Sequence, residues 1–309
     1  MKLDNLIQDR EKLLTELAKY FNHINCLTAQ FLGGSVILST CFLLKLTSSS
    51  PKYDISVFSW HNEQLQRPHE TFELLERHAV DAVFQYLSLD HSVAEATHFI
   101  EKAADFKKDI YFLTGEPEWA LDPTATELIE WIKQIGHYQD NQTSRESLKG
   151  IVLDVEPFLL AEYKQDPQAV MTTYVASMQA AYKAAKVYQL EVIVCVPYYF
   201  DTLGFTEELE SITRDASDKL AVMNYYRGKE MEHLQTENEI SHRYNKTIIN
   251  IYELQPPGQH DLTDQNTYYN YGIHAAYDNF QQLKRFFSHQ RIELAFHEFE
   301  YFKKLSEKQ

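Results

Sequence analysis

The feature that most constrains the fold is an alternation of short apolar runs with longer amphipathic segments, repeated eight times between residues 54 and 299. The apolar runs, each of a length that suits a buried strand, are DISVFSWH (54–61), VDAVFQYLSL (80–89), DIYFLTGEPEW (109–119), GIVLDVEP (150–157), LEVIVCVPYY (190–199), LAVMNYY (220–226), TIINIYEL (247–254) and IELAFHEF (292–299). An open doubly wound sheet usually has fewer strands. We therefore predict a closed (β/α)8 barrel over residues 53–309.

The fourth run ends in two acidic residues, Asp154 and Glu156. Residues two apart in a strand point the same way, so Val152, Asp154 and Glu156 should face the barrel axis, and Leu153 and Val155 the helices. In such barrels the reactive groups lie at the carboxyl ends of the strands, because side chains fill the interior. Neighbouring buried carboxyls suit a general acid beside an ionised partner. Capping of a loop amide, or pairing with an arginine, is the alternative interpretation of Asp154.

The other strand ends add aromatic, acidic and amide side chains to the same rim. The predicted site residues there are Trp60, Glu116, Trp119, Tyr198, Asn224, Tyr225, Glu253, Gln255 and His297. Aromatic faces stack on the apolar faces of sugar rings, while carboxylates and amides bind hydroxyls. We therefore predict a carbohydrate ligand. Ordinary rim packing is the alternative interpretation of any single aromatic residue.

The net charge and the motifs of the sequence argue against nucleic acids, phosphate-containing cofactors and metals as ligands. With 29 Lys+Arg and 45 Asp+Glu the formal charge is −16, and such a surface repels the phosphate backbone of nucleic acids. No glycine-rich phosphate loop follows the first strand. A metal site would draw on His61 and His297, but no His-x-His spacing occurs. We predict neither a metal nor an organic cofactor.

Residues 1–52 are predicted to form an extension that precedes the barrel. A helix over about residues 4–20 has mixed charge, unlike the apolar core of an export signal. Residues 25–46 carry one charge, Lys45, and allow two interpretations. The alternation of apolar and polar residues favours a β-hairpin that turns at Gly33-Gly34. The length of the segment would instead suit a marginal membrane span.

The number and spacing of the cysteines indicate a reducing cellular compartment. The three cysteines, Cys26, Cys41 and Cys195, have neither the density of a disulfide-rich secreted module nor a Cys-x-x-Cys spacing. In the hairpin, Cys26 and Cys41 would lie opposite each other at a hydrogen-bonded pair, where strand spacing is less suited to a disulfide. We predict free thiols and a cytoplasmic location, with a single-span membrane anchor as the alternative.

Two runs resemble motifs of chitinase-like (family 18 type) glycosidases. KGIVLDVEP resembles their fourth-strand motif D-G-x-D-x-D-x-E, with Gly150, Asp154 and Glu156 on matching positions. VMNYY resembles the Met-x-Tyr that ends their sixth strand, at Met223 and Tyr225. Over residues 54–302, SVFSW, FLTGEPEWAL, GIVLDVEPFLL and AFHEFEYF are similar, in this order, to a group of largely uncharacterised bacterial glycoside-hydrolase-like barrels.

The resemblance implies that Glu156 is a general acid, that Asp154 orients it or stabilises charge, and that Tyr225 lines a sugar subsite. Two groups could act together with Glu156. In one route the acetamido group of the substrate attacks and Asp154 stabilises it; in the other, Glu253 is the nucleophile or base. The spacing favours Asp154.

The chain departs from the chitinase motif where Lys149 and Val152 replace acidic residues, so the charge relay behind Asp154 is absent. This leaves open a barrel that binds glycan without cleaving it, in polysaccharide assembly or recognition. Retention of both Asp154 and Glu156 favours the hydrolase.

Overall fold

A computed structural model describes residues 54–141 and 147–307. In this part of the chain eight parallel strands form one closed barrel, in which each strand pairs with the next and the last pairs with the first. The strands are β1 (Ile55–Ser59), β2 (Ala82–Tyr86), β3 (Asp109–Thr114), β4 (Leu148–Leu153), β5 (Glu191–Pro197), β6 (Lys219–Met223), β7 (Thr247–Glu253) and β8 (Ile292–His297). The predicted (β/α)8 barrel is confirmed, and each predicted run overlaps one strand.

Helices surround the strands. The α-helices of the described ranges are α1 (Glu63–Gln66), α2 (Pro68–Arg77), α3 (Val93–Phe106), α4 (Thr126–Asn141), α5 (Ala161–Gln165), α6 (Pro167–Val187), α7 (Thr206–Asp215), α8 (Glu230–His233), α9 (Gln235–Arg243), α10 (Gly272–Phe286) and α11 (Phe299–Ser306). Short 3-10 helices span Pro117–Leu121, Pro157–Leu159 and Asp264–Asn266. The predicted helix over residues 4–20, the hairpin or span over residues 25–46, Cys26 and Cys41 lie outside the described residues.

Helix α6, the longest of these, shows how local sequence sets an element. Pro167 occupies its first turn, where a missing N–H costs nothing, and the Asp166 side chain accepts a hydrogen bond from Ala169 N at 3.0 Å. Its buried residues, which include Met171 and Tyr174, pack against the barrel. The helix therefore packs against strand β5 from outside.

A second apolar cluster fills the barrel interior. It contains Phe58, Phe84, Tyr111, Leu113, Val152, Ile193, Cys195, Ala221, Met223, Ile249, Ile251 and Ala295. Val152 belongs to this inner cluster, whereas Leu153 and Val155 belong to the outer one beneath the helices, as the strand alternation predicts. Because the interior is filled, a ligand can enter only at the mouths of the barrel.

Charged residues close the amino-terminal end of the barrel. Lys219 lies 3.0 Å from Glu293 and 3.5 Å from Glu191, and Lys149 lies 3.5 Å from Asp109. Lys149, one of the two departures from the chitinase motif, therefore has a structural partner at the end of β4 opposite to Asp154.

Close contact between strands explains the glycine before the acidic pair. A Cβ atom on Gly150 would lie 1.9 Å from the carbonyl oxygen of Glu191 on β5. A similar contact occurs at Gly115, where a Cβ would lie 2.0 Å from the carbonyl oxygen of Asp154. Both glycines allow the backbone around Asp154 to approach its neighbours.

We predict that Gly150→Ala lowers the free energy of unfolding by about 3 kcal/mol or more, because the new methyl group meets backbone that cannot rotate away. Urea titration measures this loss. Gly258→Ala is the matched control, since a Cβ there meets no atom within 4 Å and its φ of +93° is the only source of strain. That strain costs about 1–2 kcal/mol. Equal losses in the two variants would contradict the steric explanation.

Candidate functional site

A cavity of about 830 Å³ opens at the carboxyl ends of the strands. Seven of the eleven residues predicted for the site line it, namely Trp60, Asp154, Glu156, Tyr225, Glu253, Gln255 and His297. They follow or end strands β1, β4, β6, β7 and β8. The barrel therefore brings together residues that are far apart in the sequence.

The other four predicted residues, Glu116, Trp119, Tyr198 and Asn224, lie outside the cavity lining. Trp119 is only 7 % exposed, and its indole N–H donates to Glu127 at 3.0 Å. Ser177 of α6 donates to the carbonyl oxygen of Trp119 at 2.9 Å, which places Trp119 in the outer core. Glu116 is exposed on the rim.

Asn224 and Tyr198 interact with protein groups instead. The Asn224 amide is buried and donates to the Glu230 carbonyl oxygen at 3.0 Å and to Asn250 Oδ1 at 2.9 Å. Tyr198 stacks on the ring of His233 with 3.9 Å between centroids. A position after a strand fixes the end of the barrel, but it does not fix whether the side chain points into the mouth or behind the strands.

Asp154 lies where β4 ends, and its backbone N–H donates to the Thr114 carbonyl oxygen at 2.9 Å. Its Oδ1 atom is buried and has no hydrogen-bond partner among the described residues. Burial raises the pKa of the Asp154 carboxyl to about 6, against the opposing effects of the His297 charge and of a hydrogen bond from the Cys195 thiol. Cys195, on β5, was not predicted as a site residue; it is buried and free.

Glu156 lies one residue before the 3-10 helix Pro157–Leu159. Burial, followed by the nearby charge of Asp154, raises the pKa of Glu156 to about 8, and His297 opposes this shift. No lysine or arginine lines the described part of the cavity. Near neutral pH the pair therefore holds one proton, which Glu156 binds more tightly than Asp154.

Glu253 and His297 form an ion pair beside these two carboxyls. Nδ1 of His297 lies 2.8 Å from Oε2 of Glu253, and the backbone N–H of Gln255 donates to Oε1 of Glu253 at 2.7 Å. The two residues are register partners on β7 and β8. Glu253 is 3 % exposed, and each of its oxygens has a hydrogen-bond partner within the protein.

Two contacts of His297 favour different protonation states. Burial favours the neutral ring, but the charge and hydrogen bond of Glu253 outweigh it and raise the pKa of His297 to about 9. The indole N–H of Trp60 lies 3.2 Å from Nε2 of His297, a contact that requires Nε2 to be an unprotonated acceptor. The charged pair is the stronger interaction, because charge-assisted hydrogen bonds are about twice as strong as neutral ones.

Sequence patterns did not identify the other residues that line the cavity. The loop between β7 and α10 contributes Gln259, His260 and Leu262, and the segment after β4 contributes Phe158 and Leu159. Pro256, Pro257 and Gly258 mark this region as a loop, but loop composition does not tell which side chains turn inward.

Arg227 fixes the loop between β7 and α10. It donates to the carbonyl oxygens of Asp264 at 2.8 Å and Thr267 at 3.0 Å, and it forms an ion pair with the Asp264 carboxylate at 3.0 Å. Its guanidinium lies 3.6 Å from the ring centroid of Tyr271. Asn266 of the same loop donates to the carbonyl oxygen of Tyr225 at 2.8 Å. These contacts hold the loop wall of the cavity to the end of β6.

Residues 54–141 and 147–307 contain no group of three or more His, Cys, Asp or Glu side chains arranged to hold a metal ion. Within the same ranges, each helix is too short or too polar to cross a membrane.

We predict that Arg227→Ala raises amide hydrogen exchange in residues 255–271 by about tenfold or more, because the loop loses several charge-assisted bonds that oppose local opening. Exchange followed by mass spectrometry measures this effect. Arg67→Ala is the matched control, since Arg67 pairs with Glu63 at 3.4 Å on an exposed surface. Unchanged exchange in the Arg227 variant would show that the loop is held by other contacts.

No protein-family model matches the sequence, and no curated protein is significantly similar to it. Among solved structures, the spore cortex-lytic enzyme SleL of Bacillus megaterium has a TM-score of 0.52 and 13 % identity, covering 82 % of this chain and 73 % of that one. A chitinase from Bacteroides thetaiotaomicron has a TM-score of 0.51 and 13 % identity, covering 81 % and 90 %. A xylose isomerase domain containing protein from Salmonella typhimurium has a TM-score of 0.48 and 12 % identity, covering 82 % and 91 %. At these identities the likeness is one of fold: the chain is a (β/α)8 barrel that resembles those of chitinases.

Proposed function

We propose that this barrel cleaves a glycosidic bond in its cavity, with Glu156 as general acid and Asp154 as the carboxylate that orients it or stabilises positive charge. The observation that carries the proposal is the pair itself. Burial raises the pKa of Asp154 to about 6, and burial followed by the charge of Asp154 raises that of Glu156 to about 8. Two carboxyls with separated pKa values provide a proton donor beside an anion near neutral pH.

The surroundings of the pair suit a sugar. Trp60, Tyr225 and Tyr301 line the cavity with aromatic surface, and Gln255 and Gln259 add amide groups. The buried Oε1 atom of Gln255 has no hydrogen-bond partner in the described structure. Aromatic faces and amides in one cavity match the alternating apolar and hydroxyl surfaces of a carbohydrate.

The contacts of Glu253 support Asp154 as the partner of Glu156. Oε1 and Oε2 of Glu253 each accept a hydrogen bond, from Gln255 N and from His297, and these bonds stabilise the carboxylate and lower its nucleophilicity. In the favoured route the acetamido oxygen of an N-acetylated sugar attacks the anomeric carbon while Glu156 protonates the leaving oxygen. Asp154 stabilises the positive charge on the resulting oxazolinium ion. Water then attacks the anomeric carbon, gives its proton to the Glu156 carboxylate and breaks the bond to the acetamido oxygen, which restores both residues.

Glu156→Gln is expected to abolish turnover while leaving glycan binding intact, because the amide keeps the shape of the side chain but cannot donate a proton to the leaving group. The measurement is product formation from a panel of N-acetylated and non-acetylated oligosaccharides, with binding followed by calorimetry. Glu118→Gln makes the same chemical change at an exposed residue outside the cavity lining and should alter neither quantity. Binding by the native chain without turnover of any glycan would favour the non-catalytic binding barrel.

Asp154→Asn is expected to lower turnover by at least about 100-fold, the scale of lost acid-base assistance, and Glu253→Gln by much less. Native turnover should fall below about pH 6, as Asp154 gains a proton, and above about pH 8, as Glu156 loses one. Steady-state rates measured across this pH range test both expectations. If Glu253→Gln is the more damaging change, and azide restores turnover with formation of a glycosyl azide, then Glu253 is the nucleophile.

A further inference from the structure

The cavity combines several acidic side chains with three histidines, His61, His260 and His297. Asp154, Glu156, Glu253 and Glu298 line it, and no lysine or arginine joins them in the described residues. His297 forms an ion pair with one of these carboxylates. It is therefore placed to balance the negative charge of the group.

The position of His297 is fixed from several sides. Glu253 holds Nδ1 at 2.8 Å, and Glu253 is itself anchored by the backbone N–H of Gln255 at 2.7 Å. The imidazole packs against the ring of Phe58, with 5.8 Å between centroids, and against Tyr225, with 6.1 Å. The ring cannot turn away from the cavity without breaking these contacts.

We propose that His297 is a positioning residue whose positive charge, maintained by Glu253, keeps Asp154 ionised beside a protonated Glu156, and that the Trp60 indole responds to this charge. The inference deepens the proposed function on which its catalytic meaning rests. Its direct test does not require turnover.

The charged groups around His297 all raise the pKa of its imidazole. They come from three places in the barrel: Glu253 on β7, Asp154 after β4 and Glu298 after β8. Trp60 after β1, Phe58 on β1 and Tyr225 after β6 also contact the ring, and Glu156 after β4 interacts with its charge. Burial opposes ionisation of the ring, yet the three carboxylates together raise the pKa of His297 to about 9. The imidazole is therefore cationic over the pH range in which Asp154 and Glu156 differ.

The charge of His297 acts on both carboxyls. It lowers the pKa of Asp154 and that of Glu156, in opposition to burial. Loss of the charge would raise both pKa values, so Asp154 would take up a proton nearer to neutral pH. The pair would then lose its ionised member at a pH where the native protein retains it.

Trp60 provides a readout of the imidazole. When His297 is neutral, Nδ1–H donates to Glu253 and Nε2 accepts from the Trp60 indole N–H, which lies at 3.2 Å. When His297 is protonated, Nε2–H faces the indole N–H and the two donors cannot bond. The indole contact therefore forms only above the pKa of His297.

The indole N–H signals in two-dimensional ¹H–¹⁵N spectra test this directly, because the chain has only three tryptophans. Trp119 donates to Glu127 and Trp131 to the carbonyl oxygen of Leu87, so these two signals serve as internal controls. Trp60→Phe identifies the third signal. We expect it to titrate well above the ordinary imidazole pKa of about 6.5. Titration below pH 7, or none, would overturn the proposal.

Substitutions of Glu253 and His297 test whether the charge of Glu253 raises the pKa of His297. Glu253→Gln should lower the midpoint of the Trp60 signal by at least about one pH unit, the scale of a close charge, and His297→Gln should abolish the titration. A midpoint unchanged in the Glu253 variant would contradict the role of that residue. If the His297 variant does not fold, the native chain and the Glu253 variant still decide the outcome.

The effect on the catalytic pair is measured by ¹³C signals of the Asp154 and Glu156 carboxyls. In His297→Gln both midpoints should rise, that of Asp154 by at least about one pH unit, whereas His297→Lys, which keeps the charge, should restore them. A purely structural role would leave the midpoints unchanged and would overturn the proposal. Absence of glycan turnover with these shifts present would count against the proposed function alone.

Discussion

Closure of eight parallel strands around a filled interior is the constraint on which the site depends. The inner apolar cluster, which includes Phe58 and Ala295, fills the interior of the barrel. The polar side chains that follow the strands can therefore form a site only at an open end of the barrel. Gly115 and Gly150 let the chain around Asp154 approach neighbouring backbone at distances that no Cβ would allow. The barrel thus positions the acidic pair by backbone packing, before any side-chain contact is considered.

Burial then determines the chemistry of this mouth. Removal from water raises the pKa of both Asp154 and Glu156, and the charge of Asp154 raises the pKa of Glu156 further, so the shared proton lies on Glu156. The described lining holds several carboxylates and no lysine or arginine, and its histidines are His61, His260 and His297. Of these histidines, His297 lies 2.8 Å from a carboxylate oxygen of Glu253. In this arrangement both oxygens of Glu253 already accept a hydrogen bond, from Gln255 N and from His297.

Strand periodicity explains why so much of the fold was predictable. Each of the eight apolar runs overlaps a strand, and Val152, Leu153 and Val155 lie on the faces that alternation assigns to them. The same reasoning was weaker after the strands end, because alternation no longer governs the direction of a side chain there. Trp119 and Asn224 follow strands as Trp60 and Tyr225 do, yet they are buried against protein groups outside the cavity lining.

The sequence by itself determined the number of strands, the barrel they form and the place of Asp154 and Glu156 at the end of the fourth. These are local properties, set by side-chain periodicity along a single segment. Only the tertiary structure decided that His297 meets Glu253, 44 residues away, and Trp60, 237 residues away. These pairs exist because β8 lies between β7 and β1 in the closed barrel, and neither the register nor the closure can be read from one strand alone.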